Sequence, residues 1–119
     1  VFAPLTFDMN GDMLNTNADT QASAVATGLS SLMPTNLVYC FEKKGVLSDP
    51  EVDDSVISEL NPENYESFKS QGVIYEGMIP KLDNAFAALR SGVSQVTICH
   101  ADELKMALET GNAGTKITL

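Results

Sequence analysis

The stretch that decides the fold runs from residue 76 to residue 99, "EGMIPKLDNAFAALRSGVSQVTIC". Leu82, Ala85, Phe86 and Leu89 recur at the three- and four-residue spacing of one buried helix face, and Gly92 supplies the C-terminal stop. "VSQVTIC" then reads as a strand, residues 101–111 ("ADELKMALETG") as a helix and residues 114–119 ("GTKITL") as a last strand. Helices and strands in alternation predict an α/β protein, a three-layer sandwich with a largely parallel central sheet.

Working back toward the N-terminus, the same pattern continues. Residues 61–72 ("NPENYESFKSQG") read as a helix with Asn61 as cap, Pro62 at the first helical position and Gly72 as stop. "SVISEL" (55–60) is a short strand, and the acidic "SDPEVDDS" (48–55) is a solvated loop. "NLVYCF" (36–41), a continuous apolar run, is expected to be a strand buried on both faces. From Ala18, a stripe of Ala22, Val25, Ala26, Leu29 and Met33 predicts a helix stopped by Pro34, and Asn10-Gly11 marks a tight hairpin turn between extended segments. "DMNGDM" has a superficial likeness to a calcium loop, but its glycine sits at the wrong place and no closing glutamate follows.

A chain of 119 residues with 44% hydrophobic content is one domain's worth of core. Seven basic against sixteen acidic residues, a net charge of −9, argue against a nucleic-acid surface, which needs clustered Lys and Arg. No signal-peptide pattern and no membrane-length apolar run is present, so a cytoplasmic protein is expected. Cys40 and Cys99 each end an apolar run without metal-ligand spacing and are expected to be buried free thiols. Val1 opens directly on "VFAPL" without a methionine, as a piece of a longer chain would.

Two short motifs carry possible chemistry. In "LNTNADT" (14–20), Asn15 and Asn17 lie on one side of an extended entry, and Asp19 falls in the first turn of the helix, where the dipole favours a carboxylate. Two readings stand side by side: a polar site, or a plain cap by Asn17 with Asp19 complementing the dipole. In "GMIPK" (77–81), Gly77 permits close backbone approach and Lys81 projects from a helix start, where the dipole disfavours a cation. Lys81 is either a solvated lysine or part of a phosphate site made from two helix N-termini. His100 reads as a helix-cap residue, and Tyr39, Phe41, Tyr65 and Phe68 as core or core-margin aromatics. No GxGxxG, P-loop or nucleophile elbow is present.

In order and spacing, "APL" (3–5), "NGDMLNTNADTQASAVATGL" (10–29), "KKGVL" (43–47), "GMIPKLDNAFAALRSGV" (77–93) and "GTKI" (114–117) resemble the C-terminal, nucleotide-binding half of the N-acetylglutamate kinases, in the amino acid kinase superfamily. The resemblance covers essentially the whole chain, residues 1–119. Carbamate, uridylate, glutamate 5- and aspartokinases share that fold but differ in the first motif.

The resemblance implies transfer of the ATP γ-phosphoryl group to the side-chain carboxylate of N-acetyl-L-glutamate on the route to arginine. Magnesium would arrive with the ATP, without a metal site of the chain's own. It further implies that Asn15, with Asn17, contacts the acyl-amino acid, that Asp19 orients the catalytic lysines and that Lys81 reaches the transferring phosphoryl group. The segment Leu37 to Leu47, with Phe41, Glu42 and Gly45, and the residues leading into Gly77 and Met78 would line the nucleotide site. Where the family has Thr or Ser, then Asp and a small apolar residue, this chain has "FEKKG" (41–45), with Glu42 in the place of the aspartate. The family's N-terminal half, with a second lysine, glycine-rich phosphate segments and a substrate arginine, lies outside these residues, and the full-length protein is expected to be a homo-oligomer. The alternatives are another N-acyl-glutamate, such as the succinyl derivative, as substrate, or a non-catalytic binding module that kept the fold.

Overall fold

The computed structural model describes residues 1–74 and 76–119, and of Glu76 the backbone alone. Strands β1 (Leu5–Phe7) and β2 (Met13–Asn15) form an antiparallel hairpin. Its turn is closed where the Asp8 N–H donates to the Asp12 carbonyl at 3.1 Å and the Asp8 carboxylate accepts from the N–H groups of Asn10 and Asp12 at 2.8 and 3.0 Å. Those backbone donors, Asp12 first, hold the Asp8 carboxyl below its ordinary value. The hairpin leads into α1 (Ala18–Ser30), then β3 (Asn36–Phe41), β4 (Glu59–Leu60), α2 (Pro62–Ser70), a 3₁₀ turn (Glu76–Met78), α3 (Ile79–Arg90), β5 (Gln95–His100), a second 3₁₀ turn (Ala101–Glu103), α4 (Leu104–Glu109) and β6 (Thr115–Ile117).

The central sheet has the order β3-β5-β6-β4, with β3/β5 and β4/β6 parallel and β5/β6 antiparallel. The mostly parallel α/β architecture is the one expected. Helices α1 and α3 lie against one face, where Ala26, Leu82, Ala85 and Phe86 join Leu37, Tyr39, Val96 and Ile98 in the main core. Short α4 packs on β5, with Ala107 opposite Val38 and Thr97 on the other face. Helix α2 adds Tyr65, whose ring centroid is 5.2 Å from that of Phe86 and whose hydroxyl donates to Asp83 at 2.9 Å.

Helices α1 and α3 run side by side in the same direction. Ser23 Oγ donates to the Asn84 carbonyl at 3.4 Å and Ser30 Oγ to the Ser91 carbonyl at 3.5 Å, each pair 61 residues apart. Each helix feeds a strand, and the two strands are parallel. The molecule is thus built on two adjacent helix–strand units whose helix N-termini come to one end.

Several local expectations hold. Asn61 and Asn64 form a reciprocal capping box with Pro62 in the first turn, Gly92 takes φ +101 past α3, and His100 accepts the Asp102 N–H at 3.2 Å. Others are corrected. Strand β3 is buried on one face only: Leu37 and Tyr39 are buried, but Val38 is half-buried and Cys40 exposed, because six-residue α4 covers β5 rather than the end of β3. Cys40 is therefore an exposed free thiol, while Cys99 is buried as expected. Helix α1 ends at Ser30, before the expected stop at Pro34, and Met33 is exposed. Of "SVISEL", only Glu59–Leu60 is strand, with a single bridge between Leu47 and Val56 before it. Among the described residues no helix is long and apolar enough to cross a membrane.

Candidate active site

At the N-terminus of α1 the capping role in "LNTNADT" is present, and the Asp19 carboxylate is engaged beyond its own helix. Asn17 caps the helix, its Oδ1 accepting from the N–H groups of Asp19 at 2.8 Å and Thr20 at 3.3 Å. That cap leaves the Asp19 carboxylate free to point sideways, and it meets Lys81 from the first turn of α3, 62 residues on. The Lys81 ammonium donates to both carboxylate oxygens, at 2.8 and 2.7 Å. The lysine side chain is 11% exposed and the aspartate 29% exposed, so this is a half-sheltered pair and not a solvated lysine.

The constant offset of the parallel helices places the two first turns together. A cation at the start of α3 is disfavoured by that helix's own dipole, and Asp19 offsets the cost. Two aromatic faces do the same. Nζ of Lys81 lies 4.9 Å from the ring centroid of Tyr39 and 5.7 Å from that of Phe41, distances at which a ring face attracts a cation. The Tyr39 hydroxyl donates to the Asp19 carbonyl at 3.1 Å, tying the C-terminal part of β3 to the start of α1. Burial, and then the Asp19 charge, push the Tyr39 phenol up to about 12, so it remains a neutral donor at physiological pH.

Beside this pair lies a cleft of about 310 Å³ between the β3 exit and the residues before α3. Phe41, Glu42, Gly45 and Met78, four of the five residues expected at a nucleotide site, line it together with Lys43, Val46, Leu47, Pro50, Glu51, Val73 and Ile74. Gly77 is exposed in the 3₁₀ turn and does not line it. Lys43 pairs with Asp53 at 3.2 Å across the loop that forms one rim. A larger trough of about 410 Å³, between Phe2, α1 and the start of β3, carries no charged lining residue and lies away from the Lys81–Asp19 pair. Asn15 stands exposed at the end of β2, and Asn17 is engaged in the cap. Tyr39 and Lys43 fell within the segment Leu37 to Leu47 expected at the nucleotide site, but the contact of Tyr39 with Lys81 was not expected from the sequence. The period of two along "NLVYCF", which puts Leu37, Tyr39 and Phe41 on one face, was the signal available for Tyr39.

Gly45 is a close-approach position. A Cβ there would lie 2.7 Å from Thr115 Oγ1, the atom that accepts the buried Val46 N–H at 2.8 Å. Gly45→Ala is therefore expected to destabilise the chain by about 1–3 kcal/mol, the usual cost of overpacking, and to weaken any ligand binding in the cleft. Thermal denaturation checks it, and an unchanged melting temperature would show that the Thr115 side chain yields freely.

Among the described residues no three His, Cys, Asp or Glu side chains converge as a resident metal would need. What the site offers is a lysine fixed by a carboxylate and two rings, one of which, Phe41, also lines a largely apolar cleft.

Comparison with known proteins adds the following. The description of the amino acid kinase family matches residues 1–100. The acetylglutamate kinase of Cytophaga hutchinsonii is 58% identical over 118 residues, which are 98% of this chain and 45% of that protein. The structure of N-acetylglutamate synthase from Neisseria gonorrhoeae complexed with coenzyme A and N-acetyl-glutamate superposes with a TM-score of 0.79 at 28% identity, over 98% of this chain and 26% of that one. That of smu.665 from Streptococcus mutans gives 0.73 at 32% identity, over 97% and 40%. The chain spans about half the length of the curated relatives it matches.

Proposed function

Since the chain belongs to the amino acid kinase family, we propose that it is the nucleotide-binding half of an acetylglutamate kinase, which transfers the γ-phosphoryl group of ATP to the side-chain carboxylate of N-acetyl-L-glutamate. The observation that carries this reading is the Lys81–Asp19 pair, joined to the Phe41–Met78 cleft through the Phe41 ring that borders both. In the reaction a carboxylate oxygen of the substrate forms a bond to the γ-phosphorus, the bond from that phosphorus to the β–γ bridging oxygen breaks, and ADP leaves with the electron pair. Phosphoryl transfer asks the protein mainly to position reactants and to meet charge spreading over the transferring group. Lys81 meets that charge, and Asp19 fixes the ammonium in place. The apolar walls of the cleft, Val46, Leu47 and Ile74, suit the nucleoside.

On this reading magnesium is carried by the nucleotide phosphates, its usual mode of binding. When bound it neutralises phosphate charge. Asn15 and Asn17 belong to the acyl-amino-acid side of this reading, with Asn15 the freer of the two. Free thiols at Cys40 and Cys99 accord with a cytoplasmic setting.

On this reading the 119-residue chain alone turns over no substrate, because the partner lysine and phosphate loops lie in the remaining half of the relatives' length. A coupled ADP-release assay with ATP, magnesium and N-acetylglutamate is expected to stay at background for the chain and to respond for the full-length protein. Robust turnover by the chain would overturn the division of the site between two halves.

A further inference from the structure

Phe41 occupies two environments at once. Its ring lines the cleft, and its centroid is 5.7 Å from the Lys81 ammonium. Tyr39, two residues earlier on the same face of β3, has its ring centroid 4.9 Å from the ammonium but is fixed: it is buried, and its hydroxyl is tied to the Asp19 carbonyl. Phe41 ends β3, is half-buried, and has no polar handle to anchor it. Of the groups around Lys81, it is the one that a molecule entering the cleft would press against.

We propose that Phe41 is a positioning residue that couples occupancy of the cleft to the placement of Lys81, its ring face acting as a movable wall between the two. The coupling rests on the kinase reading of the cleft. The physical argument is that the face of an aromatic ring attracts a cation through its quadrupole, which an aliphatic side chain of similar size lacks. Filling the cleft limits the tilts open to the ring and so narrows the positions where the ammonium is favourably held. Asp19 is the lysine's charge partner with or without ligand, and Phe41 adjusts the ammonium's placement when ligand is present. The phenylalanine at the head of "FEKKG" thus has a task that a small hydroxyl residue at this position could not perform.

The test is nuclear magnetic resonance of the Lys81 ε-methylene and ammonium groups in the full-length protein, free and with adenosine, which fills the cleft without bringing a phosphate to the lysine. In the parent and in Phe41→Tyr, the nucleoside is expected to shift the Lys81 signals. Phe41→Leu keeps an apolar wall, so its affinity should fall by less than about tenfold, as for a tolerated hydrophobic swap, while the Lys81 response disappears. Pentafluorophenylalanine at position 41 preserves the ring's shape but removes its negative face, and it is expected to move the Lys81 signals in the ligand-free protein. This second variant serves if Phe41→Leu does not fold. A Lys81 response in Phe41→Leu equal to the parent's, or ligand-free signals unchanged by the fluorinated ring, overturns the proposal. If the full-length parent binds no adenosine, the nucleotide reading of the cleft and the coupling both fall, whereas the hold of Phe41 on Lys81 is still decided by the ligand-free spectra.

Discussion

Lys81→Met in the full-length protein is expected to lower kcat by roughly a hundred- to a thousandfold, the effect of removing one preorganised electrostatic group, while the KM values for ATP and the acyl-glutamate change far less. The asymmetry follows from the role: a charge that meets developing charge on the transferring group interacts more strongly with the transition state than with the bound ground state. Lys81→Arg should rescue poorly. The ammonium sits between both Asp19 oxygens and two ring faces, a space matched to a compact point charge and not to a planar fork. Stability should change little in the methionine variant, because the carboxylate left behind is 29% exposed and lies in the first turn of α1, where the helix dipole favours it. Steady-state kinetics of both variants beside the parent decide the matter. Near-parental kcat in both would remove Lys81 from the chemistry.

The second large effect is expected at Asp19. Asp19→Asn should lower kcat by roughly a hundredfold through misplacement of Lys81. Unlike loss of the lysine, it should also destabilise the fold. The ammonium is only 11% exposed, and without its carboxylate it is left against two rings and an amide. The cost should be about 1–3 kcal/mol, between the small worth of exposed pairs and the larger penalty of breaking a buried one. Capping is not the cause, since the cap bonds belong to Asn17. Denaturant melts and kinetics together separate the outcomes. Lowered stability with full turnover would make Asp19 a structural partner of Lys81 and nothing more.

Much of the fold was legible because its signals are local. The Asn61-Pro62 start of α2, the turn at Asn10-Gly11, the apolar face of α3 and its Gly92 stop all depend on residues within a few positions of one another. Expectations failed where burial depends on what lies across space. Val38 and Cys40 look like core in the run "NLVYCF", yet the helix on their side of the sheet is only six residues long. The antiparallel entry of β6 between β5 and β4 was likewise invisible, because the loop before it carries no mark of strand direction.

The candidate site divides along the same line. Residue type and spacing marked Asp19 and Lys81 at two helix starts but left a plain cap and a solvated lysine standing beside the site reading, and the resemblance of the two motifs to the kinases is what favoured the site. That the two share a bidentate bond across 62 residues was decided by tertiary structure, through α1 and α3 packing in parallel so that their first turns meet. The same packing set Tyr39 beneath the ammonium and made Phe41 both a wall of the cleft and a neighbour of the lysine. Helix starts and strand faces are short-range properties of a chain, whereas a site assembled from several of them exists only once long-range packing has brought them together.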